Sequence, residues 1–169
     1  MLRLRELQRS DLAEINSWRN DPQLISLLGA PFRYINAEVD EKWFDSYLAN
    51  RSSTVRCAIV NSKSDKILGL VSLTDIDYLN QSASIHIMIG CADEQGKGMG
   101  TYAMSTMVNH AFKNLNLHRV QADVLADNER SIHVLEKIGF VKEGIKRQAV
   151  FKNGIFKDMV CLSILREDS

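Results

Sequence analysis

A mixed α/β (α+β) fold, one sheet of about seven strands flanked by about four helices, is what the sequence predicts. Three observations carry it. Several short segments alternate apolar with polar residues or form short apolar runs, longer segments repeat apolar residues at helical spacing, and the two kinds interleave along the chain. The 169 residues suit a single domain spanning 1–169.

Leu2, Leu4 and Leu7 belong to a first strand. Ser10-Asp11 is placed to cap a helix running to about Asn20, which carries Leu12, Ile15 and Trp18 on one side. Pro22 and Pro31 bracket Gln23–Ala30 as an irregular or short helical connection. A second helix covers about Ala37 to Ala49, with Val39, Trp43, Phe44 and Tyr47 on its apolar side. Strands follow at Val55–Val60 and Ile67–Asp75, joined by the polar turn Asn61–Asp65. Ser84–Gly90 is a further strand, and its near-continuous run Ile85, Ile87, Met88, Ile89 is that of a strand buried on both faces. A long helix then carries Ala103, Met107, Ala111 and Leu115 at intervals of four, and the strand His118–Leu125 alternates Val120, Ala122 and Val124. Asn128 opens a shorter helix through Lys137, carrying Ile132 and Leu135, with Gly139 as its stop. The strands Val141–Phe151 and Phe156–Leu165 close the chain around the turn Lys152-Asn153-Gly154.

Composition removes several functions. With 45% hydrophobic residues the chain can bury a core without disulfides or metal. A formal net charge of zero argues against a general nucleic-acid binder and against a polybasic membrane-surface protein. Cys57, Cys91 and Cys161 are far apart and lack C-x-x-C spacing, and His86, His110, His118 and His133 form no H-x-x-x-H pair, so no metal is expected. Met1–Gln8 has no long apolar run, and no stretch approaches the roughly 20 apolar residues of a membrane helix. A cytoplasmic location is the expectation.

The segment Gln95-Gly96-Lys97-Gly98-Met99-Gly100-Thr101 places three glycines in five residues between a buried strand and a helix. A flexible turn is the plain explanation, yet one or two glycines would serve for that, and each costs backbone entropy. A phosphate cradle explains all three, because bare backbone approaches an anion closely and the first N–H groups of the helix point at it. The spacing is neither G-x-G-x-x-G nor G-x-x-x-x-G-K-[ST], so a dinucleotide or NTP loop does not fit.

In this strand–loop–helix setting, Gln95-x-x-Gly98-x-Gly100 resembles the pyrophosphate loop of the GNAT superfamily of acyl-CoA transferases. Asn128-Glu129-Arg130-Ser131-Ile132-His133-Val134-Leu135-Glu136-Lys137-Ile138-Gly139-Phe140 is similar to that superfamily's N-x-x-[SA]-x-x-x-x-x-K-x-G-F stretch. Trp18-Arg19-Asn20 and Trp43-Phe44 resemble the branch containing ribosomal-protein N-terminal, spermidine and nucleotide-amino-sugar acetyltransferases. The resemblance extends from Leu2 to about Leu165. It implies a mostly antiparallel twisted sheet and N-acetyl transfer from acetyl-CoA, without a metal, to a primary amine.

It also implies roles. Backbone groups of Ile87, Met88, Ile89 and Gly90 would pair with the pantetheine arm, the N–H groups of Gln95, Gly96, Lys97, Gly98, Met99, Gly100 and Thr101 would hold the pyrophosphate, and Asn128 would bond the pantetheine region. Lys97 is equally a solvated loop lysine, and Asn128 is also a good N-cap. A lysine-like amine of pKa ~10 is mostly protonated at neutral pH, a handicap of roughly 4 kcal/mol, so a base would help attack and an acid would help thiolate departure. The usual tyrosine acid of the superfamily falls on Leu135, and a glutamate of some relatives falls on Ile85; neither residue can transfer a proton. Ser131 is the candidate on the thiol side and the cofactor side alike, with a polar first-turn residue as the competing role. His86 is the candidate base, with a histidine packed in the sheet as the competing role.

For the acceptor, Trp18, Arg19, Tyr34, Asp75 and Tyr78 are the candidate contacts, although Asp75 and Tyr78 are equally solvated loop residues. An Arg-plus-aromatic set suits a nucleotide-linked amino sugar, so a small amine or such a sugar is preferred. A peptide N-terminus of the ribosomal-protein kind, a polyamine, or a catalytically weak acetyl-CoA sensor are the alternatives. Dimerisation through an exposed strand edge is left open.

Overall fold

The computed structural model describes residues 1–90, 93 and 96–169. Strand β1 (Leu2–Glu6) is followed by helices α1 (Leu12–Arg19), α2 (Pro22–Ser26) and α3 (Ala37–Ala49). Strands β2 (Val55–Asn61), β3 (Ile67–Asp77) and β4 (Ser82–Ile89) come next, then α4 (Met99–Lys113), β5 (Arg119–Leu125), α5 (Glu129–Ile138), β6 (Val141–Lys152) and β7 (Ile155–Leu165). Among the described residues the strands form one sheet in the order β1-β2-β3-β4-β5-β7-β6. Every pairing is antiparallel except β4 with β5. The expected mixed, mostly antiparallel seven-stranded sheet is therefore present. The Gln23–Ala30 connection supplies the additional short helix α2.

Local chemistry fixes the helix ends. Asp21 Oδ1 accepts from the Gln23 N–H at 3.0 Å and Pro22 occupies the first turn of α2, where its missing N–H costs nothing. Asn36 Oδ1 caps α3 through the Val39 N–H at 3.0 Å. Gly139, at φ 119°, ends α5 in the left-handed region. The start of α1 differs from expectation. Asp11 does not cap that helix, because its carboxylate turns back to Arg5 at 2.8 Å and to the Gln8 N–H at 2.9 Å, in a 3₁₀ turn preceding Leu12.

Two cores lie on the two faces of the sheet. One gathers Ala83 and Ile85 with Ala103, Met107, Ala111, Ile132 and Leu135 from α4 and α5. The other gathers Leu12, Ile15, Trp18, Leu24, Phe44 and Tyr47 over β1–β3 and includes Met88. Strand β4 thus presents odd-numbered isoleucines to one core and Met88 to the other, as its apolar run predicts, but His86 between them is exposed.

The connection between α1 and α3 is tied down by asparagines. Asn20 Oδ1 accepts from the Ile35 N–H at 3.0 Å, its Nδ2 donates to the Ile35 carbonyl at 2.8 Å, and Asn16 Nδ2 reaches Asp40 Oδ2 at 2.8 Å. At the end of β4, Trp18 packs directly on Gly90. A Cβ there would fall 1.8 Å from the indole, so only glycine fits. Gly90→Ala is expected to cost about 1–3 kcal/mol through overpacking, read as a lower urea midpoint; an unchanged midpoint would contradict this contact.

Candidate active site

The site begins where the sheet divides. β4 and β5 pair only from Ser82 to Ser84 against Arg119 to Gln121, whereas β4 continues to Ile89. Beyond that point β5 follows β7, from Asp123↔Cys161 to Leu125↔Met159. One edge of β4 is left without a strand. On the other edge the Gly90 N–H donates to the Leu68 carbonyl at 2.9 Å. In an antiparallel ladder alternate residues make the hydrogen-bonded pairs, so Met88 and His86 also bond to β3. The backbone N–H and C=O groups of Ile87 and Ile89 consequently point to the open edge. Of the four residues expected to offer backbone groups to a pantetheine arm, Ile87 and Ile89 are so disposed. Met88 and Gly90 have their N–H groups committed to β3.

The glycine loop and two helix starts close this opening. Gly96 and Gly98 have φ values of 85° and 78°, which strongly favour glycine. A Cβ on Gly96 would also lie 2.7 Å from Arg130 Nη2. Gly100 has neither constraint: its Cβ would meet only Val134, at 4.0 Å. It lines the cleft between α4, α5 and β4. No carbonyl precedes Met99, Gly100 and Thr101 within α4, so their N–H groups are unsatisfied by the helix and carry its positive end. Asn128 Oδ1 caps α5 through the Ser131 N–H at 3.2 Å, while its Nδ2 donates to the Leu27 carbonyl at 3.1 Å.

Together these elements line a cleft of about 550 Å³ that includes Ile87, Met88, Ile89, Gly96, Gly98, Met99, Gly100, Thr101, Asn128 and Ser131. Ten of the sequence-predicted residues thus meet in one place. Gly90 lies beneath Trp18 instead, Lys97 stands in the loop between lining residues, and Gln95 lies outside the described residues. Leu135, buried, forms part of the cleft wall where a tyrosine acid would stand. Sequence reasoning missed Leu24, Leu27 and Leu28 of the α2 region as walls, and Arg130 and His133 at the mouth.

His86 occupies the opposite face of β4. Its Nε2 is 3.0 Å from Thr74 Oγ1, and Thr74 Oγ1 donates to Asp75 Oδ2 at 3.2 Å. The direction of the Nε2–Thr74 hydrogen bond follows the imidazole tautomer. Although His86 keeps an exposed edge, the protein packed around its ring partly desolvates the imidazole and pulls it below its ordinary pKa; Arg56 adds to this, while Asp75 and Asp123 oppose it. A neutral imidazole is what a base near neutral pH requires.

The expected acceptor contacts are dispersed. Arg19 stands 3.2 Å from buried Asp40 and lies over the Trp43 ring at 4.1 Å. Trp18 is only 5% exposed and acts as packing. Tyr34 is largely exposed, edge-on to Phe32, and Asp75 neighbours His86. Tyr78 sits on the β3–β4 connection that leads to Ser82, the same connection as Gln81, whose carbonyl accepts from the His118 N–H. That is the end of β4 remote from Ile87–Ile89, so Tyr78 does not join the cleft. Strand direction, not sequence proximity to His86, decides this.

A split parallel pair, a bare helix start and an asparagine-capped helix around one cleft define an acyl-CoA-binding fold. Residues 1–141 match the family model of the acetyltransferase (GNAT) domain, and the chain belongs to that family. It is 30% identical to a spermidine N(1)-acetyltransferase of Vibrio cholerae, over 98% of this chain and 93% of the relative. It is 28% identical to the Escherichia coli spermidine N(1)-acetyltransferase, over 98% and 86%. The crystal structure of the Vibrio cholerae spermidine N-acetyltransferase in complex with CoA and spermine superimposes with a TM-score of 0.92 at 28% identity, covering 99% of this chain and 96% of that one. The protein is an acetyl-CoA-dependent N-acetyltransferase. No helix among the described residues is long and apolar enough to cross a membrane.

The bare cradle at Gly98 and Gly100 fits the cofactor's pyrophosphate. Gly100→Asp adds a side chain and a negative charge on the cleft side while meeting nothing tight in the protein. It is expected to weaken acetyl-CoA binding by more than about 100-fold with little change in thermal midpoint; unchanged affinity in calorimetry would refute the assignment.

Proposed function

We propose that chain 1–169 acts as one cytosolic domain that acetylates a small primary amine delivered to the His86 face of β4. The observation that carries this is the adjacency of His86 and Ile87, which face opposite sides of the strand at the point where the sheet has opened. Ile87 and Ile89 bond the pantetheine arm as an added strand, and the N–H groups of Gly96 to Thr101 hold the pyrophosphate with Arg130 beside them. Asn128 bonds the pantetheine amides. When bound, acetyl-CoA supplies the activated acetyl group. The His86 imidazole takes the proton that the amine loses as the amide bond forms, and Ser131, in the cleft, donates a hydrogen bond to the departing sulfur, which leaves as the thiolate and takes its proton from solvent. Asp75 and Asp123 hold the imidazolium that results.

Among acceptors, an amino sugar or comparable small amine is preferred to a polyamine. A polyamine needs free carboxylates; Asp75, exposed beside His86, is one without an ion-pair partner among the described residues, whereas several others are already paired. Asp40 faces Arg19, Glu41 and Asp45 meet Arg9, and Asp123 meets Lys146. Polyamine acetylation is the second reading, favoured by the spermidine acetyltransferases among the relatives.

Acetyl-CoA-dependent thiol release against amino sugars, their nucleotides, polyamines and peptide N-termini tests the proposal. Turnover is expected with the first two groups; turnover confined to polyamines establishes the second reading, and turnover confined to peptides overturns both. The pH dependence tests the base. Neutral His86 is the working form, so kcat should rise with pH through a value below the ordinary 6.5 of imidazole. His86→Gln should remove that limb and slow turnover by about 100-fold. An intact limb at normal rate would return His86 to a packing role.

A further inference from the structure

Arg56 opens β2 on the acceptor face, in register with Ser72 of β3, which is in turn in register with His86 of β4. Its Nη1 lies 3.3 Å from Ser72 Oγ, and the guanidinium lies over the Trp43 ring at 4.7 Å. Arg19 stacks on the same ring at 4.1 Å. Trp43 therefore gathers two guanidinium groups, and buried Asp40 answers only Arg19. Among the described residues no carboxylate pairs with Arg56, and its Nε is buried without a hydrogen-bond partner.

Such an arrangement is costly in an empty protein. A guanidinium withdrawn from water needs an opposite charge to repay its desolvation, and a second guanidinium beside it adds repulsion. Both effects pull Arg56 below its usual pKa. Resting on the proposed amine chemistry at His86, we infer that Arg56, with Arg19 and Trp43, forms an anion subsite, so that the acceptor carries a phosphate or carboxylate besides its amine. The ring fixes the guanidinium plane, which suits the forked recognition of either anion. Neighbouring strands lie about 4.8 Å apart, and Arg56 is two strands from His86. The amine and the anion should therefore be separated by up to about 10 Å, the span of a sugar ring with its phosphate or of a short amino acid chain. A polyamine would set a further cation against Arg56.

The test uses matched acceptors on the acetyl-CoA-saturated enzyme: glucosamine phosphate against glucosamine, and γ-aminobutyrate against aminobutanol. In the unaltered protein kcat/KM for the anionic member is expected to exceed its neutral partner by about 10- to 100-fold. The pair that shows the larger ratio separates phosphate from carboxylate. Arg56→Gln should bring the ratio near one and Arg56→Lys should restore part of it, with acetyl-CoA affinity unmoved as the check on folding. A ratio of one or less in the unaltered protein, or a ratio that survives Arg56→Gln, overturns the subsite while leaving the transferase reading intact. Should none of these amines turn over, the small-amine reading fails on its own, and calorimetric titration of inorganic phosphate and of acetate into the acetyl-CoA complex decides the subsite. Binding that Arg56→Gln abolishes supports it, and no binding by the unaltered protein overturns it.

Discussion

Beyond Ser84, β4 is hydrogen-bonded on one side only, and the rest of the site depends on that. A strand in the middle of a sheet normally spends both rows of backbone groups on its neighbours. Here β5 leaves after three paired positions to follow β7, and Ile87 and Ile89 keep a row of donors and acceptors turned to open space. Unpaired backbone groups in a partly buried place are costly unless something bonds to them. A ligand with alternating amide groups can do so as an added strand. The gap is also what allows a group on one face of the sheet to approach a group on the other.

The remaining parts position charge around this gap. α4 starts at the glycine loop without a side-chain cap, so its first N–H groups are available to phosphate. α5 starts at Asn128, whose side chain both caps the helix and holds the Leu27 carbonyl. Lys152, buried on the final hairpin, holds the same region through the carbonyls of Ile25 and Ala30. The α2 leucines that wall the cleft are thus pinned from the cofactor-side helix and from the hairpin. On the other face, Trp43 gathers the two arginines, and Arg56 lies two strands from His86.

Much of this was legible in the sequence, for physical reasons. Apolar periodicity located the inner strands and the long helices, because burial on one or both faces leaves that mark directly in the residue order, whereas β6, exposed along almost its whole length, was marked by the Lys152-Asn153-Gly154 turn that joins it to β7. Three close glycines before a helix marked the cradle, because only backbone needs make that combination. Pairing was not legible. Nothing in Ser84–Gly90 states where β5 departs, since that is settled by β5's own pairing with β7. The same gap in knowledge placed Tyr78 near the site, when the direction of β4 carries it to the far end. Arg130 looked like an ordinary helix residue until its contact with Gly96 was seen. Arg56 gave no signal because a single arginine at the start of an apolar strand forms no pattern; only its register with Ser72 and His86 sets it apart.

The most direct measurement is residue-resolved amide hydrogen exchange by NMR, with and without saturating acetyl-CoA. The account predicts that the Ile87 and Ile89 amides exchange readily in the free protein and become protected in the complex, while Met88, already bonded to β3, is protected in both. Ile87 and Ile89 amides that exchange equally fast in the complex would contradict the claim that the open edge of β4 is what receives the cofactor.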